Sequence, residues 1–185
     1  MFDVSKRVAL GAALGVPLVG AVLPAASAAA AVEPPAPDAP RNHCVTSELT
    51  PQQLASGQRS SLSCFATFSE ALASRGVRVG ADVQPAGLSV DVILSVTSLA
   101  AIHYEGSGAS GASLQVYGDC NGGGISLDPS WDNKISSTRH GACSTVKHFD
   151  TTAYSGAQEN TAGGYGAVFT LTTLNDQVGS VKYFA

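Results

Sequence analysis

Asp132-Asn133-Lys134-Ile135-Ser136-Ser137 and Asn175-Asp176-Gln177-Val178-Gly179-Ser180 are two versions of one hexapeptide. Each has two Asp/Asn residues, two variable positions, a Ser or Gly, and a final Ser, and each runs into a short strand-like stretch. An upstream element is doubled in the same order. His103-Tyr104-Glu105 returns as His148-Phe149-Asp150, and a Gly-Ala pair (Gly111-Ala112, Gly156-Ala157) begins seven positions after each aromatic. Two matches in one order at nearly one spacing indicate a duplicated structural unit. The repeated residues are oxygen-rich and acidic, a chemistry that suits a hard cation such as calcium.

Outward from these landmarks, the chain from about Leu99 runs as short apolar-alternating stretches separated by Gly, Ser and Asn. The first copy predicts strands over Ala101–Glu105, Ser113–Tyr117, Gly124–Leu127 and Ile135–Arg139. The second predicts Thr145–Phe149, Ala157–Thr161, Ala167–Leu171 and Val178–Phe184. Two sets of four predict an all-β fold: two four-stranded Greek keys packed as a sandwich, since neither set buries its apolar face alone. Upstream, 41–95 is expected to be a small N-terminal extension. Thr67-Phe68-Ser69-Glu70 reads as a capping box opening a short helix with Phe68, Ala71 and Leu72 on one face and Gly76 as its stop. Val90–Val96 reads as a strand or extended connector.

Residues 1–28 read as a secretory signal peptide, with Lys6 and Arg7 before an apolar run and Ala26-Ser27-Ala28 at its end. A membrane anchor is the competing reading, weakened by the Gly and Pro content of the run. Residues 29–40 form an Ala/Pro-rich linker. The expected organisation is therefore leader 1–28, linker 29–40, disulfide-braced segment 41–95 and double Greek-key domain 96–185, with a secreted, extracellular mature chain. A formal charge of −4 and 13% charged residues argue against nucleic acid and, for the mature form, against membrane partners. Export favours disulfides among Cys44, Cys64, Cys120 and Cys143. Of the three possible pairings, Cys44–Cys64 and Cys120–Cys143 keep each bridge within one module. Zinc ligation is the rival, but the chain has no C-x-x-C pair and no zinc-finger histidine spacing.

Tyr104-Glu105 with Gly111, Phe149-Asp150 with Tyr154 and Gly156, and the two hexapeptides together resemble the microbial, calcium-binding branch of the βγ-crystallin superfamily over roughly 95–185. The resemblance implies a βγ-crystallin-like sandwich in which each calcium (Ca2+) site borrows from both hexapeptide clamps. It implies as ligands the backbone carbonyls of Glu105, Asp150, Lys134 and Gln177, side-chain oxygens of Asn133 and Asp176, and the Ser136 hydroxyl. Gly179 departs from the pattern, leaving one site a side-chain oxygen short. A serine there is expected to strengthen that site, unless the glycine is needed by the backbone.

The expected function is thus a secreted calcium-binding protein, monomeric, in which calcium is structural. Two other classes remain. One is an inhibitor of extracellular proteases, for which the Cys120–Leu127 loop is the candidate; the other is a toxin or a module that binds the cell envelope or cell wall. No enzyme is expected, because the chain carries no G-x-S-x-G, no H-E-x-x-H and no phosphate-binding Gly loop. His103 and His148, opposite in strand phase to their aromatic neighbours, are expected on the exposed face, with a pseudo-symmetric zinc pair as the alternative. Trp131 and Tyr154 are expected to pack rather than to bind a ligand.

Overall fold

The computed structural model describes residues 42–81, 83–89, 91–92 and 98–185. The leader, the linker and most of the Val90–Val96 stretch lie outside the described residues. All eight strands of the duplicated region are present: β3 (Leu99–Gly106), β4 (Ser110–Tyr117), β5 (Asn121–Ser126), β6 (Ser137–His140), β7 (Thr145–Phe149), β8 (Gln158–Ala162), β9 (Val168–Thr170) and β10 (Ser180–Phe184). The alternation and turn residues that mark them sit within a few residues of the expected ends. Upstream lie β1 (His43–Ser47), helix α1 (Pro51–Ala55), β2 (Ser63–Phe65) and helix α2 (Phe68–Ala73).

The strands form two sheets, ordered β2-β1-β4-β3-β6-β9 and β5-β10-β7-β8. Within each four-strand copy the fourth strand returns beside the first, β6 on β3 and β10 on β7, as a Greek key requires. The third strands are exchanged: β5 joins the sheet of the second copy and β9 that of the first. Neither copy can therefore complete its sheet without the other. The registers repeat too. Tyr104 pairs with Ser113 and Ser137, and Phe149 with Gln158 and Ser180. Each aromatic thus lies opposite the last serine of its own hexapeptide.

One apolar cluster fills the space between the sheets, with Leu114, Val116, Ile125, Trp131, Ile135, Val146, Val178 and Val181 among its members. A second covers the other face of the six-stranded sheet, where Ile102, Tyr104, Leu99 and Tyr117 meet Phe68, Ala71 and Leu72 of α2 and Leu88. The capping box of α2 is formed by Thr67 and Glu70, and Gly76 ends the segment at φ +81°. Buried Arg139 fastens this cover by donating from both terminal nitrogens, to the Leu88 carbonyl (2.6 Å) and the Ala86 carbonyl (3.1 Å). The expected division at 95/96 is crossed by pairing, since β1 adds to the free edge of β4 in parallel over His43–Ser47.

The disulfides are Cys44–Cys64, directly across the β1–β2 pair, and Cys120–Cys143. Strand β5, expected over Gly124–Leu127, begins earlier at Asn121 and so takes in most of the Cys120–Leu127 stretch considered as an exposed loop. It pairs with β10 on one side and meets Leu49 through reciprocal bonds at Gly124 on the other. Beta-carbons at Gly123 and Gly124 would run into the Leu49 and Val181 carbonyls, so this close approach needs the glycines. Among the described residues, no helix is long and apolar enough to cross a membrane.

Candidate metal centre

The two hexapeptides adopt one conformation twice. The second residue of each, Asn133 and Asp176, has positive φ (60° and 54°), which Asn and Asp tolerate better than other side chains. The first variable residue of each, Lys134 and Gln177, is exposed, whereas the second, Ile135 and Val178, is fully buried and pins the loop to the inter-sheet core. Backbone bonds tie the loops to each other: Asn133 N–H donates to Val178 O (2.9 Å) and Asp176 N–H to Ile135 O (3.1 Å). The fifth residues reach back to the aromatics, Ser136 N–H to Tyr104 O (2.9 Å) and Gly179 N–H to Phe149 O (2.7 Å).

The final serines carry a role that the sequence reading left unassigned. Ser137 Oγ donates to Gly106 O (2.6 Å) and accepts from Ala109 N–H (3.1 Å). Ser180 Oγ donates to Thr151 O (2.6 Å) and accepts from Tyr154 N–H (3.1 Å). Each serine thus clasps the folded hairpin of its own copy, where Ala109 and Gly111, or Tyr154 and Gly156, hold positive φ. The signal was the presence of this serine in both copies where the fifth position differs. Tyr154 also packs edge-on against Phe149 at 6.3 Å between ring centroids, and Trp131 is buried in the core.

Of the seven candidate ligands, the structure brings Ser136 and Asp176 into direct contact. Ser136 Oγ donates to Asp176 Oδ1 at 2.6 Å, a hydroxyl of one hexapeptide on a carboxylate of the other. The Glu105 carboxylate is met by the Lys134 ammonium at 3.3 Å, which leaves Lys134 neutralised beside the loop. No donor among the described residues reaches the Lys134 or Gln177 carbonyls. In the other copy, Asp150 Oδ1 is buried without a partner against Gly156, where a beta-carbon would strike it. Gly179 is not at positive φ. A beta-carbon there would sit 2.6 Å from Thr151 C, 2.8 Å from Thr152 N and 2.9 Å from Asp150 O.

No group of three or more His, Cys, Asp or Glu among the described residues could hold a metal. A cation here would rely on carbonyl, hydroxyl and single carboxylate or amide oxygens. That donor set fits a hard ion taking six to eight oxygens and does not fit zinc. The asymmetry is also chemical: the Ser136–Asp176 side offers a hydroxyl and a carboxylate, while the side of Gly179 and Asn133 offers an amide alone.

His103 and His148 are corrected from exposed to fully buried between the sheets. The Glu159 carbonyl can only accept, so His148 Nδ1 donates to it (3.1 Å) and, in the neutral ring, Nε2 accepts from Thr138 Oγ1 (2.8 Å). Thr138 then accepts from His103 Nδ1 (2.9 Å), and His103 Nε2 accepts from Tyr183 Oη (2.8 Å). Every donor in this chain has one acceptor, and the chain joins both sheets. Burial pushes both rings down, His148 to about 4, and charge on His140 opposes protonation further. All four ring nitrogens are engaged, which leaves no lone pair for zinc.

A two-sheet sandwich of duplicated Greek keys, with paired oxygen-bearing loops at one junction, defines the class of protein. Its fold is similar to that of βγ-crystallins. One similar solved structure is a βγ-crystallin from an archaeon, at 15% identity and TM-score 0.38, covering 48% of this chain and 100% of that one. A structure described as bearing on the evolution of the eye-lens βγ-crystallin domain fold matches at 17% and 0.39, covering 47% and 86%. A double mutant of a βγ-crystallin domain from Clostridium beijerinckii matches at 20% and 0.37, covering 46% and 96%. No family model matches the chain, and no curated protein does.

Proposed function

We propose that this chain is an exported calcium-binding protein in which the ion ties the two Greek keys together as a structural ligand. The observation that carries the reading is the 2.6 Å contact between Ser136 and Asp176, a pair of oxygens drawn one from each hexapeptide. The reciprocal backbone bonds between the loops support the reading, since such a site would form only when both keys are folded and docked. Ligands would be the Ser136 hydroxyl and Asp176 carboxylate, with the Glu105, Asp150, Lys134 and Gln177 carbonyls and the Asn133 amide completing the two sites. Export is supported by the signal-like sequence of residues 1–28 and by the two disulfides. The protease-inhibitor reading rests on the Cys120–Leu127 stretch, of which Asn121–Ser126 forms strand β5 against β10.

Binding to the folded state alone stabilises it by about 2.7 kcal/mol at a hundredfold excess over Kd. The test is the thermal midpoint of the mature protein in millimolar calcium and in chelator. The proposal requires a higher midpoint with calcium; coincident melting curves would remove calcium as the ligand.

A further inference from the structure

The turn that leads into the second hexapeptide is held by a carboxylate with no counterpart in the first copy. Glu159 stands on β8, at the edge of the four-stranded sheet, and reaches the turn just before Asn175. Its Oε1 accepts from Thr172 N–H (2.9 Å) and the Thr172 hydroxyl (3.2 Å). Its Oε2 accepts from Thr172 N–H (3.2 Å), Thr173 N–H (2.9 Å) and Leu174 N–H (2.8 Å). Three consecutive backbone donors converging on one anion form a nest, and here the anion is a side chain of the same protein. The first copy is anchored differently. Asp128, inside the turn itself, takes Ser130 N–H on its carboxylate (2.9 Å) and Trp131 and Asp132 N–H on its carbonyl (2.8 Å each).

Position 159 corresponds to Leu114 in the first copy, so the anchor is specific to the second. The backbone of Glu159 also receives the His148 Nδ1–H bond that ends the buried chain from Tyr183. One residue therefore joins the inter-sheet network to the loop that carries Asp176. A carboxylate suits this place because it only accepts. Glutamine would turn an NH2 toward backbone donors and satisfy at most part of the nest.

Building on the calcium reading above, we infer that Glu159 is a positioning residue for the Ser136–Asp176 site, fixing residues 172–174 so that the Asp176 carboxylate meets the Ser136 hydroxyl. Burial raises the affinity of Glu159 for a proton, but the Leu174, Thr172 and Thr173 bonds outweigh it, keeping the carboxylate ionised for this task.

The experiment compares the full mature chain with Glu159→Gln, Glu159→Asp and a distant control, Val45→Ala, in the cluster beneath α2. Calcium titration by calorimetry is paired with amide exchange in the calcium-free proteins. Loss of a group that orients a metal ligand typically weakens binding by roughly 10–100-fold. Glu159→Gln is expected to weaken the tighter site by about tenfold or more. It should also expose the Thr172, Thr173 and Leu174 amides to exchange while Ser130–Asp132 stay protected. Glu159→Asp, one methylene short, should fall between, and Val45→Ala should lower stability without moving affinity. Wild-type affinity in Glu159→Gln, or an equal loss in Val45→Ala, overturns the positioning role and leaves the calcium reading standing. A wild type that takes up no calcium overturns both.

Discussion

Gly179→Ser places a serine where the first copy has Ser136, and the local geometry argues that this harms the protein. The new beta-carbon would lie 2.6 Å from Thr151 C and 2.8 Å from Thr152 N, both backbone atoms of the hairpin that Ser180 clasps. Neither can swing aside as a side chain would, so the hairpin or the loop must shift. Overpacking of this kind costs typically about 1–3 kcal/mol. At about 2–4 °C per kcal/mol for a chain of this size, a 2 kcal/mol loss lowers the thermal midpoint by roughly 4–8 °C. The assay is thermal unfolding in chelator, where calcium contributes nothing, with Gly179→Ala alongside. Alanine adds the beta-carbon without the hydroxyl, so both variants should fall by similar amounts. A Gly179→Ser protein that melts at or above wild type would refute the steric argument and restore the view that this position lacks only an oxygen.

The buried histidines make stability pH-dependent. His148 is held to about 4 when folded against 6.5 as its ordinary value, so the unfolded chain binds the extra proton between those limits. Stability is full above about pH 6.5 and is lost as pH falls toward 4, by up to about 3 kcal/mol for this residue; denaturant midpoints across that range in chelator check it, and a flat profile would contradict it. Reduction removes two bridges that close loops with separations of 20 and 23 residues, and each is expected to contribute about 3 kcal/mol, measurable as a drop in unfolding midpoint with reductant. Arg139→Met should leave the Leu88 and Ala86 carbonyls without their donor, destabilising by about 1–3 kcal/mol and opening residues 83–89 to proteolysis before the sandwich unfolds. Cleavage first within 99–185 would show that Arg139 does not fasten the cover.

The eight strands of the duplicated region were legible because alternation and turn residues are local signals, and α2 because its capping box is. Thr50 and Gln53, with Pro51 at the first turn, form the same kind of box and open α1, yet the short polar stretch around them hid it. Strands β1 and β2 carry little periodicity, and their place is set by long-range pairing with β4 and by Cys44–Cys64. His103 was misplaced because alternation was read as one dry face and one wet. The six-stranded sheet is covered on both sides, so Tyr104 faces α2 while His103 faces the opposite sheet. The hexapeptides could be found in the sequence. What holds them, the Ser137 and Ser180 clasps and the Glu159 nest, depends on contacts between elements distant in the chain.

Calorimetric titration of calcium into the mature wild-type chain beside Ser136→Ala tests the central claim most directly. Ser136 supplies the hydroxyl that meets Asp176 across the two loops. Replacing a fixed ligand oxygen by an immobilised water costs up to about 2 kcal/mol, as much as roughly thirtyfold in affinity. The account predicts saturable binding to the wild type with a tighter site that Ser136→Ala weakens, while the variant keeps its fold. Identical isotherms for the two proteins, or no binding by either, would contradict it.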